Sequence, residues 1–195
     1  MFIKLITRNR HKIGINLDKE DILNFWFKEC TPEQWFEKDY AFDNLLEERF
    51  AGTVELALEG KLDNWTDSGN GFLALIVLLD QFPRNIFRDT PRSFSGDEKA
   101  LSLSFRCTEN GYLFNGDVHR RHFMLMPRMH SEDITVQNDS LLLFKKLSLD
   151  DVYDYAVRHR DIVARFGRFP HRNSILGRSS SKDELEFLEQ KGSSF

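Results

Sequence analysis

The chain uses little cysteine, proline or tryptophan: 2, 5 and 3 residues out of 195. Cys30 and Cys107 are unpatterned, with no CxxC and no regular framework, and could at most form one disulfide. A reduced pair in a cytoplasmic protein is the expectation. Long hydrophobic runs are missing as well. The longest, Phe72 to Leu79, falls far short of the roughly 18 residues a membrane span requires. The first seventeen residues lack the apolar region and small-residue cleavage site of a secretory leader. No stretch alternates polar and apolar residues, which argues against sheet. Positive charge is not in excess: 27 Lys and Arg against 31 Asp and Glu give a net charge of −4 and a pI near 5.9. No basic stripe of the kind that binds nucleic acid is present. Gly69-Asn70-Gly71 lacks both the preceding strand and the remaining glycines of a phosphate-binding loop.

What the chain has in quantity is phenylalanine, 18 of them, and helical periodicity. After a basic lead-in over residues 1–17, helical pattern starts at Asp18 or Lys19 and runs through DILNFWFKEC, offering Ile22, Leu23, Trp26 and Phe27 for burial. Thr31-Pro32-Glu33-Gln34 reads as a capping box with proline at the tolerated first position. From Tyr40 to Glu59 the residues Phe42, Leu45, Leu46, Phe50, Val54, Ala57 and Leu58 form one continuous helical stripe, which Gly60 ends. The run Phe72 to Leu79 is apolar all round and predicts a central helix, ended or kinked by Pro83.

Ser95-Gly96-Asp97-Glu98 predicts a second capping box, opening a helix to about Thr108. A further helix includes His119 to Leu125. Ser131-Glu132-Asp133 places two acids in the first turn of the next, and Asp150 caps another that reaches Phe166, with Gly167 after it. Ser181 with Glu184 starts a last helix, Lys182 to Gln190. The expected fold is all-α, with antiparallel helix hairpins stacked in a tetratricopeptide-like way in one domain over residues 18–195. No 34-residue repeat is visible in the sequence itself.

Charge is unevenly spread. Asp18 to Asp63 carries thirteen acids against five bases, whereas Arg158 to Arg178 carries six arginines, two histidines and one acid, Asp161. Within the latter, Phe169-Pro170-His171-Arg172-Asn173 echoes Phe82-Pro83-Arg84-Asn85. Each follows a helix, and the two predict similar turns that present Arg and Asn to a shared space.

The motifs ILNFWF, GFLALIVLLDQFPRNIFRDT, MHSEDI, RHRDIVARFGRFPHRNSILGR and GSSF, in this order from about Asp18 to Phe195, resemble a bacterial family known as domain of unknown function 924. The resemblance implies a single all-helical, tetratricopeptide-like domain and assigns no activity and no catalytic residue.

Three polar clusters are candidates for a site. Asp80, Gln81, Arg84 and Asn85 form one, His130, Glu132 and Asp133 the second, and His159, Asp161, Arg165, Arg168, His171, Arg172 and Asn173 the third. Arginine keeps its charge at any working pH and offers a planar fork suited to carboxylate or phosphate. The first reading is therefore binding of a small anionic ligand or the acidic end of a peptide. The structural alternative is that these arginines close helix ends and pair with Asp161, Asp80 or Glu132. A second function would be a hydrolase-type enzyme using His130 or His171 with Glu132 as acid and base. A third is a helical interaction scaffold. His130, Asp133, His159, Asp161 and His171 include metal-ligand types but not in any metal-binding spacing, so neither a metal nor another cofactor is expected. Oligomeric state is left open.

Overall fold

The computed structural model of the protein describes residues 17–114 and 116–194. The lead-in over residues 1–17 therefore lies almost wholly outside the described residues. Most of those described are helical and none lies in a strand, so the fold is all-α.

The chain enters α1 (Lys19–Asn24) through Asp18, whose carboxylate accepts from the Glu20 and Asp21 amides while Asp21 takes the Asp18 N–H. The expected continuous helix to Cys30 becomes a π turn, Phe25–Glu29. That extra residue per turn brings both Phe25 and Trp26 into the core and leaves Phe27 only half-buried. The capping box at Thr31 is formed, its N–H donating to Gln34 Oε1 at 2.9 Å, and it opens α2 (Pro32–Phe36). Helix α3 (Tyr40–Leu58) buries Phe42, Leu46, Phe50, Val54 and Ala57 as its stripe requires; Leu45 stays at the exposed edge.

The centre of the molecule is α4 (Gly69–Ile76), a π turn (Val77–Gln81) and α5 (Phe82–Ile86) in unbroken succession. Every residue from Gly71 to Pro83 is buried. Pro83 explains the π turn. It has no N–H to give to the Leu79 carbonyl, and the Phe82 amide bonds back to Val77 instead. Helices α1, α3, α6 (Asp97–Glu109) and α7 (Val118–Met129) pack round this spine, and α7, α8 (Ile134–Leu147) and α9 (Asp150–Phe166) pack on one another in sequence order. Phe50, Phe72, Phe82 and Phe123 are almost fully shielded, each contributing about 1.5–3 kcal/mol by burial. Beyond α9 a short 3-10 turn (Pro170–Arg172) and α10 (Lys182–Leu188) share a separate, smaller cluster of Ile162, Val163 and Phe169 with Phe166 and Phe187. No helix among the described residues is long and apolar enough to cross a membrane.

Three helix starts differ from expectation. Ser95 is not a cap: its hydroxyl donates to the Arg92 carbonyl, and Gly96 holds the N-cap position of α6 with no side-chain bond. Gly96 is required there because a Cβ would lie 2.1 Å from the Leu79 carbonyl oxygen. Glu132 lies outside α8, whose N-cap is Asp133, bonded to the Thr135 amide. Leu149, not Asp150, is the N-cap of α9, and Asp150 is its first residue. Gly167 does end α9, at φ +70°, and Ser181 with Glu184 caps α10.

Candidate functional site

The close approach of Gly96 to Leu79 sets Asp97 beside the π turn that carries Asp80. Asp80 is fully buried. Its Oδ1 meets His130 Nδ1 at 2.8 Å and Arg84 at 3.3 Å, and its Oδ2 accepts from Gln81. Arg84 then reaches Asp97 Oδ1 at 2.8 Å. From the other end of the chain, Arg172 approaches Asp97 Oδ2 at 3.4 Å and donates to the His130 carbonyl at 3.0 Å. The two Phe-Pro turns therefore meet, and what joins them is the carboxylate of Asp97. Both guanidinium groups also face the Phe94 ring, at 5.4 Å for Arg84 and 4.7 Å for Arg172.

The cluster lies just beneath the surface. Arg84 keeps 22% of its side chain exposed, Asp97 24%, His130 16% and Arg172 8%. Burial disfavours a charged Asp80, but the charges of His130 and Arg84 and the hydrogen bonds from His130 and Gln81 outweigh it, holding the acid below its usual range. Asp97 is pushed the other way, first by burial and also by the charge of Asp80, with Arg84 and Arg172 only partly compensating. The two arginines diverge as well. Burial and the charge of Arg84 lower Arg172 to about 10, so it is still a cation at neutral pH; Arg84, pinned by two carboxylates, is raised. Burial and the nearby Arg84 lower His130, which is neutral at pH 7. An ionised Asp80 can only accept, so His130 Nδ1 carries the proton and its Nε2 keeps a lone pair. Two cations and two anions leave the cluster balanced.

The other expected site residues divide. His171 sits with its ring 5.6 Å from Phe169, and burial together with the charges of Arg172 and Arg84 lowers it to about 4. Asn173 is buried, and its Nδ2 donates to Ser180 at 3.0 Å. Asn85 turns away, accepting from Arg88 at 2.9 Å, where Arg88 grips Asp43 at 2.6 and 2.7 Å. Arg168 also points elsewhere, forking Glu184 at 2.7 and 2.8 Å and capping the Ser179 carbonyl. Glu132 accepts a fork from Arg178 at 2.7 and 2.9 Å and the Phe169 amide at 2.8 Å, so it fastens the second Phe-Pro turn instead of lining the first. The Nε atoms of Arg84, Arg172 and Arg178 and the Oδ1 of Asn173 are buried without a hydrogen-bond partner among the described residues. Among those residues no group of three or more His, Cys, Asp or Glu is placed to hold a metal ion.

Asp97 and Phe94 escaped the sequence reading. Asp97 was absorbed into a capping box, although an acid thirteen residues from Arg84 was available as its partner. Two open hollows lie away from this junction. One, of about 510 Å³, is lined by Glu20, Asn70, Tyr112 and Arg120 among others. There Arg120 donates to Asn70 at 2.5 Å and Asn70 to Glu20 at 2.8 Å, so its polar groups satisfy one another. The second, of about 340 Å³, borders Arg165, Arg168 and Glu184, where the fork just described is closed.

A family described as bacterial protein of unknown function, DUF924, matches residues 22–192. The chain belongs to this family. DUF924 membership agrees with the resemblance drawn from its motifs, and it brings no assigned activity. Among solved structures the chain is similar to a protein of unknown function, ATU0120, from Agrobacterium tumefaciens. The two share 40% identity over 88% of this chain and 96% of that one, with a TM-score of 0.83. Among curated proteins no relative matches the chain.

Proposed function

We propose that the protein binds an acidic ligand at the junction of its two Phe-Pro turns, with Arg84 and Arg172 as the charge-bearing contacts. The observation that carries this reading is the convergence of both arginines on one carboxylate, Asp97, from positions 13 and 75 residues away. Arg172 is under-committed: it makes one long contact to a carboxylate that Arg84 holds more closely, and its buried Nε has no partner among the described residues. His130 stands beside them as a neutral acceptor, and His171 and Asn173 flank Arg172 in sequence. The acidic group could belong to a small organic molecule or to a peptide terminus, and the chemistry of recognition is the same.

A second reading rests on the 2.8 Å contact between Asp80 and His130. A buried carboxylate that orients an imidazole through Nδ1 leaves Nε2 as a general base next to a bound acid. His130, in place of His171 or Glu132, is then the group for acid–base work, because Glu132 is committed to Arg178.

Thermal shift of the full chain against organic acids, inorganic phosphate, nucleotides and short peptides with free or amidated C-termini tests the binding reading, with Arg172→Ala as control. Stabilisation of the wild type that the variant loses is expected; no anion-dependent stabilisation that depends on Arg172 removes the proposal. Protection by a free but not an amidated peptide assigns the peptide source. The general-base reading requires turnover of a bound acid that disappears in His130→Gln while binding is kept.

A further inference from the structure

We infer that the Asp97 carboxylate occupies the ligand's own place, and that the natural ligand is a monocarboxylate with an apolar body that displaces it. This rests on the anion-binding reading above and specifies its chemistry.

The internal carboxylate outlines what the site takes. Its two oxygens are divided between two cations, Oδ1 to Arg84 at 2.8 Å and Oδ2 to Arg172 at 3.4 Å. That is the footprint of a planar, two-oxygen anion. Asp97 is the first residue of α6 and about a quarter exposed, so its side chain can turn outward without breaking a helix turn. Asp80, by contrast, is sealed below by His130, Arg84 and Gln81 and cannot be the group that leaves.

Charge then selects the ligand. With Asp97 turned out, Arg84 and Arg172 face Asp80 alone, and one positive charge is left under partial burial. A monoanion restores balance. A phosphate monoester, at roughly −1.5 to −2 near neutral pH, over-fills it. Phe94 supplies the third criterion. Its ring lies against both guanidinium groups and is itself only half-buried, so a ligand whose acid meets the arginines lays its body on an aromatic face. Phe169, below Arg172 at 4.6 Å, is fully buried and backs the site without lining it.

Titration calorimetry of the full chain with acetate, benzoate and inorganic phosphate tests the inference in wild type, Asp97→Ala and Asp97→Asn. Benzoate is expected to bind the wild type weakly and each variant at least about tenfold more tightly, because the internal competitor is gone. Acetate should follow with lower affinity, and phosphate should gain least. Asp97→Asn keeps the shape of the side chain and decides the matter where Asp97→Ala does not fold. Benzoate affinity that is unchanged or reduced in the variants, while Arg172→Ala still abolishes wild-type binding, overturns the displacement idea and leaves the anion site standing. Preferential gain for phosphate overturns the carboxylate class. Absence of binding by all three ligands to every form removes both.

Discussion

Arg168 and Arg172 lie four residues apart and do opposite things. Arg168 forks one carboxylate, Glu184, with two short bonds and caps a carbonyl with the same nitrogen that makes one of them. Arg178, at the end of the same stretch, does likewise with Glu132 and the Phe169 carbonyl. In each, one cation has one carboxylate to itself and holds it through two nitrogens. Arg172 shares its anion with a second arginine and touches it by one long contact. Local density of arginine therefore says little about function. What separates a fastener from a candidate site is whether each guanidinium has a carboxylate to itself.

The contrast can be broken in several ways. Asp80→Ala should have the largest effect, because it leaves Arg84 without its buried counter-charge and His130 without its acceptor. A loss of about 3–5 kcal/mol in chemical denaturation is expected, and a loss below that of Glu184→Gln would mean that Asp80 does not organise the junction. Glu184→Gln removes the charge from the Arg168 fork and should cost about 1.5–3 kcal/mol, with the anion response intact. If that response vanishes, the fork is part of the site.

Acidification ranks third. His159 is buried, its Nδ1–H donates to the Tyr155 carbonyl at 2.8 Å, and burial, with the charge of His130 after it, lowers its pKa to about 3. Its folded-state value lies below the unfolded value near 6.5, so between these limits the unfolded chain binds the extra proton. Stability present above pH 6.5 is therefore lost as pH falls toward 3, at up to about 1.4 kcal/mol per pH unit for this residue. His122 and His171, each lowered to about 4 chiefly by burial, add to the same slope. His159→Gln should flatten the stability profile between pH 6 and pH 4.5 by about one proton; an unchanged slope would show that His159 is already charged when folded.

The smallest stability effect belongs to Arg172→Lys, about 0.5–1.5 kcal/mol, since a 3.4 Å contact, one carbonyl bond and the stacking on Phe94 and Phe169 are altered while the charge is kept. Its effect on carboxylate binding should nevertheless be complete, because lysine keeps the charge and loses the planar fork. Equal losses in stability and binding would erase the distinction between Arg172 and Arg168.

The helices were legible where periodicity and caps act locally. The stripe of α3, the all-round apolar spine, the Thr31 and Ser181 boxes and the stop at Gly167 depend on neighbours in sequence, and each is formed. The two π turns were not legible, because Phe25 and Asp80 take their places through a one-residue slip that packing decides. The echo of Phe-Pro turns pointed to Arg84 and Arg172 as neighbours, yet it also placed Asn85 and Asn173 in the shared space, and their partners, Arg88 and Ser180, lie in separate places. Asp97 was hidden by a competing local explanation. Ser-Gly-Asp-Glu fits a capping box, and only the tertiary approach of Leu79 to Gly96 shows that the glycine is there for clearance and the aspartate for the arginines.

The small cluster beneath Phe169 has a consequence for how the junction opens. Arg84, Asp80 and Asp97 are carried by elements that anchor in the large core through Leu79, Phe82 and Ala100, whereas Arg172 is carried by a segment whose own apolar anchor is Ile162, Val163 and Phe169. Segments with few buried apolar contacts exchange their amide protons through local opening well before the global transition. The end of α9, the second Phe-Pro turn and α10 should therefore exchange faster than α4. A ligand that bridges Arg84 and Arg172 ties this lightly anchored segment to the spine, and its binding should be visible as slowed exchange from Arg172 to Leu188 while the amides of α4 are unaffected.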